Sequence, residues 1–358
     1  MNKKLMAAAV AGALAIPAVA FAQSSVTLYG TMDTGIRNQS KVVETATTNG
    51  TQTYMSDGSH TTNRWGMKGS EDLGGGLKAN FTLEGQYSSD TGGGPGTTAN
   101  NAAGATTSGL FARKSIVGLS SGDSSVDLGR DYTVDFKELG LYGPMSYTYT
   151  GITPEVVYTN GVRSSNMVTA ATRFNGVGVR VDYALGEATG NSSYNRRVGI
   201  GADYIGGPLK VGFATSSLND PTDAGKKTVT TGGVAYEMAA FTFRAGWAQN
   251  KWDSTFAGAT VDKARLFMLG VQYAFNDRVN GRVGYYDEKY TYFSGAPEGK
   301  HKTTILAVDY SLSKRTTAYV ELDHHGLTGA SVDGVATVEG NKINDGATGV
   351  GVGIAHTF

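Results

Sequence analysis

The chain has 358 residues, with 31 basic and 31 acidic side chains, a formal net charge of zero and no cysteine. The balanced charge argues against a general nucleic-acid binder, and the missing thiols exclude disulfides, thiolate metal sites and thiol catalysis. With 51 glycines, 19 tyrosines and an apolar fraction of only 40%, the composition suits strands that are apolar on one face and polar on the other.

The first 22 residues read as a leader. Lys3 and Lys4 precede an apolar stretch from Leu5 to Val19, broken only by Pro17, and Ala20-Phe21-Ala22 offers a small-x-small cleavage site before Gln23. The expected division is a cleaved signal peptide over 1–22 and a single domain over 23–358. Losing Lys3 and Lys4 takes the 31 basic residues to 29 against 31 acids, still near neutral. Beyond residue 22 no apolar run reaches the length of a membrane-spanning helix.

Alternating segments follow instead. Val177-Gly178-Val179-Arg180-Val181-Asp182-Tyr183 puts three valines and a tyrosine on one face and Gly, Arg and Asp on the other. Phe241 to Trp247 and Leu306 to Leu312 repeat the pattern. Arginine or aspartate on the inner face of a soluble sandwich is costly, but facing a water-filled lumen it costs little. Sixteen such segments are expected, at about 24–37, 63–70, 77–88, 110–120, 125–131, 162–174, 177–186, 196–205, 209–218, 228–238, 241–252, 263–275, 279–291, 301–312, 317–325 and 346–358. A strand of ~10 residues rising ~3.3 Å each and tilted ~45° covers ~23 Å, the apolar band of an outer membrane.

Short turns at Glu71–Gly76, Asn175-Gly176, Gly206-Gly207-Pro208, Asn276–Arg278 and Ser313–Thr316 alternate with long polar stretches at Asn38–Thr62, Ser89–Gly109, Asp131–Gly161 and Gly326–Asp345. The fold class is therefore all-β: a transmembrane antiparallel barrel of 16 strands with short periplasmic turns and long external loops. The stretch Asp131–Gly161 holds Asp131, Asp135, Glu138 and Glu155 beside Tyr132, Phe136, Tyr142, Tyr147 and Tyr149. Its aromatics have something to bury and its acids something to show to water, so this third loop is expected to fold into the lumen, with an external flap as the alternative. The final residues, Gly349 to Phe358, place Val350, Val352, Ile354 and Phe358 on one face and small residues on the other. A closing barrel strand has this pattern, because no edge can be left open to lipid.

Several segments resemble general diffusion porins of beta-proteobacteria, a Gram-negative family. They include Ser25-Val26-Thr27-Leu28-Tyr29-Gly30, Arg64-Trp65-Gly66-Met67-Lys68-Gly69-Ser70-Glu71-Asp72-Leu73-Gly74, Phe111-Ala112-Arg113-Lys114-Ser115, Leu128-Gly129-Arg130-Asp131, Ser313-Lys314-Arg315-Thr316, and the terminal strand with its last aromatic residue. The resemblance implies a homotrimer, with the third loop narrowing each pore opposite wall arginines. By motif these are Arg64, Arg113 and Arg163; Arg37 and Arg130 are possible additions to the cluster. Asp131, Asp135 and Glu138 are the loop acids expected across from them, placed by position alone. A unit charge ~6 Å from an ion contributes ~0.7 kcal/mol in bulk water, so three arginines bias anions over cations without excluding either.

The expected function is passive diffusion of ions and small hydrophilic solutes with a weak anion preference. Alternatives are a substrate-specific outer-membrane channel using a line of aromatics, and a plugged structural or adhesive barrel. An enzyme is not expected: the five histidines accompany no Gly-x-Ser-x-Gly motif, and His324 and His325 point to opposite faces of one strand, which spoils them as a metal pair. No cofactor, catalytic residue, metal or nucleic acid is expected. The expected partners are outer-membrane lipid, lipopolysaccharide, small hydrophilic solutes and inorganic anions.

Overall fold

The computed structural model describes residues 25–43, 49–93, 99–100, 106–107, 109–149, 153–329, 337–338 and 341–358. The expected leader over 1–22 lies outside the described residues. The barrel strands are β1 (Ser25–Val43), β2 (Arg64–Gly74), β3 (Leu77–Gln86), β4 (Lys114–Ser121), β5 (Ser124–Tyr132), β6 (Arg163–Phe174), β7 (Val177–Ala184), β8 (Arg197–Gly206), β9 (Leu209–Asn219), β10 (Lys226–Met238), β11 (Phe241–Trp252), β12 (Val261–Ala274), β13 (Val279–Tyr292), β14 (Gly299–Ser311), β15 (Thr316–Thr328) and β16 (Ala347–Thr357). Each pairs antiparallel with the next, and β16 returns to β1, so the sixteen close into a ring. Every segment expected from alternation has a counterpart.

The seam lies between the two ends of the barrel. Ile36 pairs with Val352 and Met32 with His356. The Gly30 and Phe358 backbones exchange hydrogen bonds of 3.2 and 3.1 Å, so the last residue satisfies the first strand's polar groups where lipid could not. Val352 and Phe358 remain 50% and 48% exposed on the outer face. Along β7, Val177, Val179, Val181 and Tyr183 are exposed while Gly178 and Asp182 are buried, so the apolar face points outward. Asn175-Gly176 turns β6 into β7 with both residues at positive φ (48° and 83°), the geometry of a tight hairpin.

Among the described residues, three elements longer than two residues were not expected. A strand at Asn49–Asp57 folds back along the upper half of β1, extending the edge above β2. The stretch between β5 and β6 holds a helix, α1 (Val134–Tyr142), and a 3-10 turn over Pro154–Tyr158. The buried core lies where this loop meets the inner wall: Leu139, Tyr142, Met145, Tyr149 and Tyr158 pack with Leu266, Met268, Tyr286, Ile305 and Tyr319. Among the described residues no helix is long and apolar enough to cross a membrane, which leaves crossing by strands untouched.

Candidate functional site

The loop between β5 and β6 is tied at its base. Thr133 Oγ1 donates to the Gly161 carbonyl at 2.8 Å, and the Thr133 amide to the Val162 carbonyl at 3.2 Å. From there it runs along the far wall. The Val134 amide, at the start of α1, donates to Asp182 on β7 at 2.7 Å, and Tyr142 Oη pairs with Thr231 on β10 at 2.9 Å. Tyr286 on β13 donates to Glu155 at 2.7 Å, Arg282 to Thr148 at 2.7 Å, and Tyr149 donates to Asp309 on β14 at 2.7 Å. Anchors on β7, β10, β13 and β14 hold the loop against one side of the lumen, leaving open the side formed by β1 to β6.

A cavity of about 1100 Å³ occupies that side, and Arg64, Arg113 and Arg163 all line it. Arg64 is on β2, Arg113 precedes β4 and Arg163 opens β6, so three strand ends bring together residues far apart in sequence. Arg113 Nε donates to Glu84 at 2.6 Å, and its NH2 to Tyr132 Oη at 2.8 Å. Arg163 NH2 donates to the same Tyr132 Oη at 2.8 Å, its guanidinium 4.4 Å from that ring's centroid. Arg64 donates to Thr61 Oγ1 and the Thr62 carbonyl at 3.3 and 3.2 Å, which leaves it the least restrained of the three.

Across the cavity the loop contributes Phe136, Ser146, Tyr147, Thr148 and Val156. Tyr132, Phe136 and Tyr147 form one stacked column, with successive centroids 4.8 and 4.0 Å apart and planes within 8° and 2° of parallel. Ser146, Tyr147 and Tyr149 hold φ of 50°, 59° and 59°. Left-handed backbone at a non-glycine residue costs on the order of 1–3 kcal/mol and persists only where the surroundings impose it. Here the column and the wall anchors do so.

The three loop acids do not face this opening. Asp131 is held between Lys114 and Lys137 at 2.8 and 2.7 Å. Asp135 is fully buried against Arg197 and also accepts from the Asn160 amide at 2.6 Å. Glu138 is fully buried and pairs with Arg180. This corrects the expectation that they oppose the arginines across the lumen. The helix carrying Asp135 and Glu138 turns its acidic face to the wall, where inward arginines on β7 and β8 neutralise it, because a carboxylate buried without a partner is far costlier than one paired. Burial pushes the Glu138 carboxyl up to about 7 despite Arg180, and Asp203 adds to the rise. Burial also raises Glu155, opposed by the hydrogen bonds from Tyr286 and Met145.

Arg37 lies apart from the cavity lining, fully buried with Glu321 at 2.8 Å and with Asp323. Arg130 is spent on the Ala112 carbonyl at 2.6 Å and Ser165 at 2.9 Å. Sequence reading missed Arg180 and Arg197 as loop anchors and Tyr132 as the shared acceptor. The inward parity of Arg180 was visible in the alternation of β7, but nothing local says which loop residue it meets. Among the described residues, no three His, Cys, Asp or Glu side chains form a metal site.

A closed strand ring with an apolar exterior, a polar interior and an inward loop beside a charged opening defines a channel-forming outer-membrane barrel. A family model described as Gram-negative porin matches residues 7–330. The chain belongs to that family and is an outer-membrane diffusion porin. It is similar along the full length of both chains to Outer membrane porin protein 32 of Delftia acidovorans (31% identical) and to an outer membrane porin of Bordetella pertussis (28%). The solved anion-selective porin from Comamonas acidovorans superposes with a TM-score of 0.76 at 27% identity, covering 94% of this chain and 100% of that one.

Proposed function

We propose that the pore passes small hydrophilic solutes with a preference for anions, and that Arg64, Arg113 and Arg163 form its basic constriction. The observation that carries this is the division of charge. All three arginines line one cavity, while Asp131, Asp135 and Glu138 are taken up by lysines and arginines away from it. The acids on the lining are Asp57, itself hydrogen-bonded to Asn63 and Ser89, and Asp90. With the loop carboxylates withdrawn, the field across the opening is less opposed than the sequence suggested. The likeness to an anion-selective porin supports the same sign.

The remaining parts of the reading are a cleaved leader over 1–22, a single barrel domain over 23–358, a homotrimer in lipid and lipopolysaccharide, and no enzymatic activity. Reversal potentials of the purified protein in a planar bilayer under a potassium chloride gradient test the selectivity. A potential of anion sign is expected; a cation sign overturns the anion preference, and a folded barrel that never conducts overturns the open pore.

A further inference from the structure

We propose that the width of the pore is set on the wall opposite the arginines, by a bed of inward glycines into which the loop sinks. This rests on the porin reading and adds the residues that fix the aperture. Gly212, Gly233 and Gly246 stand directly opposite one another across β9, β10 and β11. Gly270 and Gly284 form a second such pair across β12 and β13. Gly212, Gly246 and Gly270 each adjoin an outward, exposed residue (Phe213, Trp247 and Leu269), which fixes their own direction as inward.

The loop fills the space these glycines leave. A Cβ on Gly233 would lie 2.4 Å from Tyr142 Cδ2, and one on Gly246 would lie 2.8 Å from the same atom. A Cβ on Gly270 would meet Pro144 Cα at 2.7 Å, a backbone atom that cannot swing aside, and one on Gly284 would meet Met145 Cε at 2.8 Å. Two consecutive loop segments, the end of α1 and the Pro144-Met145 turn, therefore rest at backbone contact distance on the wall. The segment that follows immediately, Ser146 to Thr148, is the one that lines the opening. Lifting the loop off this bed by one side-chain layer moves that segment toward Arg64 and Arg163, because the strands behind it form a closed ring and cannot retreat.

Small side chains elsewhere on strands have a bland explanation in weak packing. A row of three and an adjacent pair, each beneath an atom of the same loop, do not. Glycine in a strand interior costs stability and marks a close approach of another segment.

The test is single-channel conductance of Gly233→Val, alone and combined with Tyr142→Ala. The single variant is expected to lower conductance on the order of twofold, since overpacking a close-packed contact displaces whichever side can move. The double variant is expected to recover most of it by vacating the ring's place. Gly246→Ala, a smaller step, replaces the valine variant if that barrel does not assemble. Unchanged conductance in a folded Gly233→Val or Gly246→Ala barrel, or a loss that Tyr142→Ala does not relieve, overturns the proposal. The unmodified protein serves as the separate control: if it does not conduct, the porin reading fails, whereas glycine variants that conduct normally sink only the glycine bed.

Discussion

The guanidinium of Arg163 lies 4.4 Å from the centroid of the Tyr132 ring and donates to that ring's own hydroxyl at 2.8 Å. One aromatic residue thus restrains the cation by its face and its oxygen together, and the same oxygen accepts from Arg113. Tyr132→Phe keeps the face and removes the acceptor. Each hydrogen bond to a charged group is worth about 1.5–3 kcal/mol, so thermal or denaturant stability should fall by roughly that order. The anion preference should persist, since both charges remain. A loss of selectivity in Tyr132→Phe comparable to that of Arg163→Gln would contradict this reading.

The three arginines should not be equivalent. Arg64→Gln removes one weakly held charge, and about a threefold shift in relative anion permeability follows from ~0.7 kcal/mol at ~6 Å. Arg113→Gln also leaves Glu84, its 2.6 Å partner, uncompensated at the wall. That variant should lose more anion preference than Arg64→Gln and cost up to ~3–5 kcal/mol of stability, because a buried charge is left without its counter-ion. Reversal potentials and unfolding curves of the two variants, measured side by side, decide the order.

Loop docking should weaken as pH rises. The docked Glu138 carboxyl sits at about 7, above the value near 4.5 of a free loop, so docking takes up a proton. Its contribution is fully present below about 4.5 and is lost as pH climbs through about 7, on the order of 3 kcal/mol across that window. Glu155, also raised by burial, adds a change of the same sign. Amide-exchange protection within residues 134–149, corrected for the intrinsic rise of exchange with pH, should be lower at pH 8 than at pH 5. Glu138→Gln, permanently uncharged, should flatten the profile; a profile that steepens would reverse the assignment.

The seam between β16 and β1 ends at the contact of Gly30 with Phe358. A Cβ on Gly30 would lie 2.3 Å from Phe358 Cζ, and the two backbones exchange hydrogen bonds. Gly30→Val should therefore hinder the seam more than Phe358→Ala, which forfeits only part of a half-exposed ring, ~1–2 kcal/mol by area. The folded fraction after refolding into lipid vesicles measures both. Equal yields would mean that the seam tolerates the displaced ring.

The strands were legible because a two-residue period survives wherever one face meets lipid and the other meets water; Val177 to Tyr183 shows it without ambiguity. The helix Val134–Tyr142 was not, because nine residues with Gly140 inside them carry no clean apolar stripe, and the helix is held by wall partners distant in sequence. The strand at Asn49–Asp57 escaped for the opposite reason: its residues are polar and it lies above β2 as an extension of the β1 edge. Arg64, Arg113 and Arg163, which line one cavity, each sit on or beside a strand, where a family motif keeps its register. Asp135 and Glu138 could not be aimed from sequence, since their direction follows from a helix docked on Arg180 and Arg197.

The most direct test of the account is the reversal potential of the triple variant Arg64→Gln, Arg113→Gln and Arg163→Gln in a planar bilayer under a salt gradient, beside the unmodified protein. An anion-sign potential is expected for the unmodified protein and one near zero or of cation sign for the variant, with conductance retained. An unchanged anion-sign potential in the triple variant would contradict it and place the selectivity elsewhere on the pore wall.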